Sequence, residues 1–183
     1  MSDDYWEGAA ADYDERSKKH WEAADSLRDF VASRLWAKAS VLDIGAGTGN
    51  WALFMAGRCA RVTALDSSPE MRRVMARKIE EAGTHNIIIT AGRWPAADVS
   101  CHNICFCAHA MYGESELGAF ALRMDELAEC ECICIVRSAR MAAVKDAIVS
   151  LGVVPSLVMG DEAQGERSSC ILYWPSRSRR GRI

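Results

Sequence analysis

Three glycines within five residues directly follow a short apolar run in the stretch VLDIGAGTGNWAL, residues 41–53. Because glycine has no Cβ atom, it permits a tight turn and lets a ligand approach the backbone closely. The run SVLDI is typical of a buried strand, and NWALFMAGRC has the apolar density of a helix packed on a sheet. A strand, a glycine turn and a helix in this order indicate an open parallel sheet that binds a ligand at the turn.

Strands and helices alternate along the rest of the chain. Apolar runs predict strands at RVTALD, NIIITA, CHNICFCA, CICIVRS, SLVMG and SSCILYWP. Helical spacing predicts helices near residues 23–39, 50–59, 67–83, 114–128 and 140–152. This alternation predicts an α/β fold: a Rossmann-like, doubly wound, mainly parallel seven-stranded sheet with helices on both faces and ligands at the carboxyl ends of the strands.

The predicted helix at residues 67–83 carries its own boundary signals. Ser67 precedes Glu70 by three residues, which is the spacing of a capping box, and Pro69 lies in the first turn. Gly83 is typical of the residue that ends a helix. The spacing also predicts a buried stripe, which consists of Met71, Val74, Met75 and Ile79.

Length and charge limit the class of protein. A chain of 183 residues that is half hydrophobic fits one domain, and a net charge of -3 creates no general attraction for nucleic acid. The N-terminus has neither the basic start nor the apolar stretch of a signal peptide, and no run of about 18 apolar residues occurs. We therefore expect a cytoplasmic protein with no nucleic-acid partner and no membrane association.

Eight cysteines are many for a chain of this length, and six of them lie in the runs CHNICFC and CECICIV. Since side chains alternate along a strand, Cys105 and Cys107 share one face, and Cys130, Cys132 and Cys134 share one face of the next strand. A small apolar thiol suits such a buried position, whereas disulfide frameworks are typical of small secreted domains. We predict reduced core thiols and no metal site.

A carboxylate follows the glycines at an informative distance. Asp66 ends the second predicted strand, where such a residue accepts hydrogen bonds from the hydroxyls of an adenosine ribose. The glycines follow the pattern G-x-G-x-G, and Asn50 stands where a dinucleotide-binding loop has its third glycine. The spacing therefore argues against an NAD-dependent dehydrogenase.

At these residues the sequence resembles the class I S-adenosylmethionine-dependent methyltransferases, in particular their small-molecule branch. VLDIGAGTGNWAL resembles their first motif, which implies that Asp43 ends the first strand and that the glycine loop lies along the methionine part of the cofactor. The loop residues are Gly45, Gly47 and Gly49. VTALDSSPEM resembles the second motif, which implies that Asp66 binds the ribose and that Ser67, Ser68 or Met71 lies near the adenine. The cofactor implied is S-adenosylmethionine, with S-adenosylhomocysteine as its product.

The resemblance extends to the N-terminus. YWEGAAADYDERS is similar to a segment in which a Tyr-Asp pair, here Tyr13 and Asp14, begins a cap over the cofactor. We therefore expect three parts: a helical cap at residues 1–40, the methyltransferase domain at residues 41–176 and a flexible basic tail at residues 177–183.

The loop after the third strand departs from the family pattern. The family usually has Gly-Asp and a small residue there, whereas this chain has Gly92, Arg93 and Trp94. Arg93 cannot accept a hydrogen bond from the adenine amino group, but Trp94 can stack on the purine or contact it through its backbone. We include Arg93, Trp94 and Ala108, which ends the fourth strand, among the cofactor-binding candidates.

The segment AHAMYGES after the fourth strand is where we expect the reacting groups. Methyl transfer from a sulfonium is an in-line displacement that needs mainly alignment, but a hydroxyl or ammonium acceptor must also lose a proton. His109 is the candidate base and Tyr112 the candidate for orienting the acceptor. An alternative role of His109 is to end the strand or line the pocket, and Glu114 is interpreted as a helix N-terminal charge.

The predicted acceptor is a small molecule. AHAMYGES lacks the Asn- or Asp-Pro-Pro-aromatic motif of methyltransferases that act on nucleic-acid amino groups. A homodimer is one way to complete the short substrate cover, and a non-catalytic cofactor-binding module that acts through a protein partner is the alternative function. A second alternative uses the cysteines to bind a soft metal or a metalloid acceptor such as arsenite, as in arsenic methyltransferases.

Overall fold

A computed structural model describes residues 14–15, 26–113, 116–159 and 169–177. The strands are β1 (Ser40–Ile44), β2 (Arg61–Asp66), β3 (Ile87–Ala91), β4 (His102–Ala108), β5 (Ala128–Arg137), β6 (Ser156–Met159) and β7 (Ser169–Pro175). The helices are α1 (Ser26–Arg34), α2 (Asn50–Ala56), α3 (Pro69–Glu81), α4 (Leu117–Leu127) and α5 (Ser138–Val149). A 3₁₀ turn at Ala110–Gly113 follows β4.

The seven strands form one sheet in the order β3-β2-β1-β4-β5-β7-β6. The first five strands pair in parallel, whereas β7 is antiparallel to both β5 and β6. Because the chain leaves β1, β2, β4 and β5 at the same edge, the loops after these strands meet there. The predicted mainly parallel seven-stranded α/β fold is confirmed.

Helices cover both faces of the sheet, as predicted. Residues of α1, α2 and α3 contribute to one buried cluster, which includes Val31, Met55 and Met75. Residues of α4 and α5 contribute to the other cluster, which includes Met124 and Ile148. Each face of the sheet therefore has its own apolar core, as a parallel sheet requires. Among the described helices, none is long and apolar enough to cross a membrane.

The start of α3 differs from the prediction by one residue. Ser68, not Ser67, is the N-cap, and its hydroxyl accepts a hydrogen bond from the Met71 N–H at 3.3 Å. Pro69 then occupies the first helical position. The predicted capping box between Ser67 and Glu70 is therefore wrong, because the chain enters the helix one residue later.

Other boundaries follow local signals closely. Gly83 ends α3 with a φ of 59°, as predicted, and the Thr84 N–H donates to the Ile79 carbonyl at 3.1 Å. The helix predicted to extend to Ala128 ends at Leu127, because Ala128 already belongs to β5 and pairs with His102.

The cysteines of β4 and β5 lie beside one another in the sheet core. The parallel register pairs Cys105 with Cys132 and Cys107 with Cys134, and all four are buried. A hydrogen bond with Cys107, together with burial, raises the pKa of the Cys134 thiol, and burial raises the pKa of Cys105. The thiols of Cys105 and Cys134 therefore stay protonated, and within the described residues no group of three His, Cys, Asp or Glu side chains is arranged to hold a metal ion. The core interpretation agrees with this burial.

Candidate active site

The glycine loop turns sharply at the carboxyl end of β1. Gly45, Gly47 and Gly49 have φ values of 69°, 57° and 83°, all in the left-handed region. The N–H groups of Gly45 and Ala46 donate to the Leu65 carbonyl at 2.8 and 3.0 Å, which fixes the loop to β2. A Cβ atom on Gly45 would lie 2.4 Å from the Cβ of Ala110. Packing within the protein, and not only a ligand, thus requires a glycine here.

Asp66 joins the end of β2 to this loop. Its Oδ2 accepts a hydrogen bond from the Gly47 N–H at 2.7 Å, and its Oδ1 accepts one from the Ser68 N–H at 2.9 Å. Each oxygen of a carboxylate can accept more than one hydrogen bond, so a pair of ligand hydroxyls is chemically suited to this half-buried group. The structure brings Asp66, Ser67 and the glycine loop together.

Arg72 holds the turn that carries Asp66, and sequence reasoning missed it. Its Nη1 donates to the Asp66 carbonyl at 2.8 Å and to the Ser67 carbonyl at 2.7 Å. A positive side chain close to the start of a helix opposes the helix dipole, which favours acidic residues there. That conflict was the only signal of Arg72 in the sequence.

Asp43 lies beneath the loop in an unusual electrostatic state. It is 1% exposed, and its Oδ2 has no hydrogen-bond partner within the part of the chain that the structure describes. Burial, together with the nearby carboxylate of Asp66, raises the pKa of Asp43 to about 8. Asp43 is therefore mostly protonated at neutral pH, and a cationic ligand group would favour its ionised form.

Thr48 is a second residue that the sequence analysis missed. It is 1% exposed, and its Oγ1 likewise lacks a hydrogen-bond partner among the described residues. Like Asp43, it belongs to the strand and loop at the carboxyl end of β1. Buried polar atoms are normally paired, so two such oxygens in one short segment indicate a site for a polar ligand.

The loop after β3 contacts the turn of Asp66 from the other side. The Gly92 N–H donates to the Asp66 carbonyl at 3.3 Å, and Arg93 is exposed. The Trp94 ring is buried against Phe120, with its Nε1 donating to the Phe120 carbonyl at 3.3 Å. Stacking of this ring on a purine would break that packing, whereas a contact through the Trp94 backbone would not. The backbone contact stays a prediction.

The candidate base lies at the end of β4, directly after the half-buried Ala108. The His109 N–H donates to the Ile135 carbonyl at 2.9 Å, and His109 has a φ of 60°, which is uncommon for any residue other than glycine. Burial and the positive charge of Arg137 lower the pKa of His109 to about 4. The imidazole is consequently neutral at physiological pH.

Other residues named from the sequence are described only in part. Tyr112 lies in the 3₁₀ turn at Ala110–Gly113. Met71 is buried in the first turn of α3, 3% exposed. Tyr13 and Glu114 lie outside the described residues.

Asp14, from the segment predicted to form the N-terminal cap, contacts α3. Asp14 is buried, and its Oδ1 lies 2.6 Å from the Nζ of Lys78 on α3. The same Nζ donates to the Oδ1 of Asn50, the residue that follows Gly49. The Asp14 end of the Tyr-Asp pair is thus linked to the helix that begins at the glycine loop.

The sequence of this chain was compared with protein families and with curated proteins. A family model described as a methyltransferase domain matches residues 41–127, which include the glycine loop, Asp66 and His109. No curated protein gave a significant match.

Solved structures share the fold at low sequence identity. A DhpI complex with S-adenosylhomocysteine has a TM-score of 0.77 and 18% identity, over 96% of this chain and 95% of that chain. Magnesium protoporphyrin IX methyltransferase from Synechocystis PCC 6803, with bound S-adenosylmethionine, has a TM-score of 0.70 and 19% identity over 82% and 78%. An rRNA methylase from Streptococcus thermophilus has a TM-score of 0.67 and 14% identity over 82% and 94%.

The matched domain and the shared fold agree with the site geometry. The sheet order, the glycine loop after β1 and the acid at the end of β2 lie where the resemblance implies. Residues 41–127 thus match the methyltransferase domain family, and the chain shares the fold of S-adenosylmethionine-dependent methyltransferases.

Proposed function

We propose that this enzyme transfers a methyl group from S-adenosylmethionine to a small-molecule acceptor. The proposal depends on the buried Oδ2 of Asp43, which has no hydrogen-bond partner among the described residues. A dinucleotide would bring a negative pyrophosphate to the loop, next to a carboxyl group that already resists ionisation. S-adenosylmethionine instead brings an ammonium and a sulfonium group, and an opposite charge nearby favours a carboxylate. When bound, the cofactor supplies a methyl group activated on sulfur.

The residues around the loop fit the cofactor in chemistry and position. Asp43 would face the cationic methionine part, and the loop of Gly45, Gly47 and Gly49 would line it. Asp66 would accept hydrogen bonds from the ribose hydroxyls, since its carboxylate is already oriented by the Gly47 and Ser68 N–H groups. The adenine would lie among the residues after β2 and β3, which are Ser67, Met71, Arg93 and the backbone of Trp94.

His109 would accept the proton of a hydroxyl or ammonium acceptor. It follows Ala108 at the end of β4, where the methyl end of the cofactor is expected, and it is neutral at physiological pH. A pKa near 4 makes the free imidazole a weak base, so alignment contributes more than basicity. Tyr112, on the adjoining 3₁₀ turn, is the candidate for orienting the acceptor.

Several observations favour a small acceptor. The neighbours include a methyltransferase of magnesium protoporphyrin IX and an rRNA methylase, so the shared fold alone leaves the acceptor class open. The segment AHAMYGES lacks the proline motif of enzymes that methylate nucleic-acid amino groups, and the net charge is -3. The substrate cover would come from the N-terminal cap that Asp14 begins, or from a second copy of the chain.

Calorimetric titration with S-adenosylmethionine and S-adenosylhomocysteine tests the cofactor assignment. We expect micromolar binding, and we expect Asp66→Ala to weaken it by about 1 to 3 kcal/mol through lost charge-assisted hydrogen bonds. Asp98→Ala is the matched control, because Asp98 is an exposed acid. Equal loss of affinity in both variants would remove Asp66 from the site.

An acceptor screen that detects S-adenosylhomocysteine tests the enzymatic part. Turnover that depends on His109 supports the proposal. Tight cofactor binding without turnover of any acceptor would favour the non-catalytic module, and absence of binding to either cofactor form would overturn both functions.

A further inference from the structure

Two arginines lie at the same edge of the sheet as His109. Arg137 is the last residue of β5 and is exposed, and Arg140 lies in the first turn of α5 and is half-buried. The first turn of α5, all of which is described, contains no acidic residue. The junction of β5 and α5 therefore carries two positively charged side chains.

Arg137 lies close enough to His109 to change its protonation. The His109 N–H is bonded to the carbonyl of Ile135, two residues before Arg137. The positive charge of Arg137 is one of the two causes that lower the pKa of His109, after burial. A ligand group that binds Arg137 would thus lie next to the candidate base.

Arg140 has a buried donor that nothing described satisfies. It shares a helical face with Val144 and Ile148, which are 1% and 0% exposed. Its Nε is buried and has no hydrogen-bond partner within the described residues. Side chains on a helix lean toward its N-terminus, so Arg140 leans toward the carboxyl edge of the sheet, where α5 begins. An unpaired buried donor is costly, and a ligand oxygen would remove that cost.

We infer that the methyl acceptor carries a carboxylate or phosphoryl group, and that Arg137 and Arg140 bind it. This inference rests on the proposed function. Guanidinium groups bind both kinds of anion through paired N–H donors, and such charge-assisted bonds are stronger than neutral ones. An exposed arginine and a half-buried arginine on adjoining elements also suit a ligand that enters from solvent and is then partly covered.

Binding of the anion would strengthen the candidate base. The negative charge of the acceptor would offset the positive charge of Arg137, and the pKa of His109 would rise when the acceptor is in place. His109 would then accept a proton more readily in the loaded enzyme than in the free protein.

Titration of the S-adenosylhomocysteine-loaded protein with phenylphosphonate, benzoate and inorganic phosphate tests the inference, with benzamide as the uncharged probe. We expect at least one anion to bind and benzamide to bind more weakly. We expect Arg137→Gln and Arg140→Gln each to weaken anion binding about tenfold or more. The control Arg123→Gln, on α4, removes a guanidinium that pairs with Glu126 and should leave anion binding unchanged. The S-adenosylhomocysteine affinity should stay within about twofold in all variants.

NMR titration of His109 gives a readout that a purely structural role of the arginines would not move. The pKa of the imidazole should rise when the anion binds to the wild-type protein, and this rise should disappear in Arg137→Gln. The signal is assigned with His109→Gln. Arg140→Lys, which keeps the charge but loses the Nε donor, separates loss of the contact from loss of folding when its thermal midpoint matches the wild type.

Three results would overturn the inference: no anion binds, benzamide binds as well as benzoate, or Arg140→Gln and Arg137→Gln bind the anion as the control does. Failure of the proposed function is a separate outcome. In that case the wild-type protein does not bind S-adenosylhomocysteine, whereas titration of the free protein with phosphate still tests the two arginines.

Discussion

Replacing Asp43 with asparagine should stabilise the free protein and weaken cofactor binding. Asp43 is 1% exposed, and its pKa rises from 3.8 to about 8 on folding because burial and the Asp66 carboxylate disfavour its charge. Between these pH values the folded protein holds a proton that the unfolded chain has released. Stability from this group is therefore fully present below pH 3.8 and is lost as the pH rises toward 8.

The size of the effect follows from the pKa change. One pKa unit corresponds to about 1.4 kcal/mol. The wild type should therefore lose about 2 kcal/mol between pH 6.5 and 8 through Asp43. His109 acts in the opposite direction, because its pKa falls from 6.5 to about 4 and its stabilising effect is lost as the pH falls through that range. The two effects oppose one another below pH 6.5, so Asp43 is best measured above it.

Urea unfolding at several pH values between 6.5 and 8 measures this effect. The free energy of unfolding should fall in the wild type and in the control Asp98→Asn, and stay nearly constant in Asp43→Asn. The affinity of Asp43→Asn for S-adenosylhomocysteine should fall about tenfold or more, because an amide cannot supply the negative charge.

The reasoning would be refuted if Asp43→Asn lost as much stability between pH 6.5 and 8 as the wild type does. It would also be refuted if Asp43→Asn were less stable than the wild type at pH 8. Either result would mean that Asp43 is already ionised in the free protein and has a partner.

Three further predictions concern the loop, the turn and the base. Gly47→Ala should weaken cofactor binding at least about tenfold. The control Gly83→Ala has a similar φ of 59° and open space around its Cβ, so it should lose comparable stability, about 1 to 2 kcal/mol, without losing cofactor affinity. Equal cofactor affinities of the two variants would show that the loop does not contact the cofactor. Arg72→Met should weaken cofactor binding about tenfold, but should cost little further affinity in a protein that already carries Asp66→Ala. If the two losses of affinity add fully in the double variant, Arg72 does not act through Asp66. His109→Gln should lower turnover about 100-fold with unchanged cofactor affinity. Because the pKa of His109 is about 4, the wild-type kcat/KM should not fall around pH 6.5 as the pH is lowered. A fall centred on pH 6.5 would show that His109 titrates normally.

The elements of the fold were predictable because their signals are local. The run SVLDI and the strand Ser40–Ile44 coincide, and so do RVTALD and Arg61–Asp66. Apolar runs bounded by glycine and polar residues specify strands through burial, which depends little on the partner strand. The helix ends were less accurate, because Ser67 and Ser68 both suit an N-cap and only the path of the chain selects between them.

The candidate site was predictable where spacing along the chain sets geometry, and not where contacts join distant segments. Asp66 ends the second predicted strand, so its place at the same edge of the sheet as the glycine loop could be predicted, whereas its hydrogen bond to Gly47 was seen only in the structure. The burial of the Trp94 ring against Phe120 could not, because the two residues are 26 positions apart and any apolar surface would have accepted that ring.

The sequence by itself determined the alternation of strands and helices, the glycine turn and the acid at the end of β2, since each depends on neighbouring residues. Only the tertiary structure decided the protonation of Asp43 and His109, because a pKa depends on burial and on charges that other strands bring near. It also brought the start of α5, which carries Arg140, to the same edge of the sheet as His109, since β4 and β5 pair in parallel. The fold therefore follows from local patterns, whereas the electrostatic state of the site follows from packing.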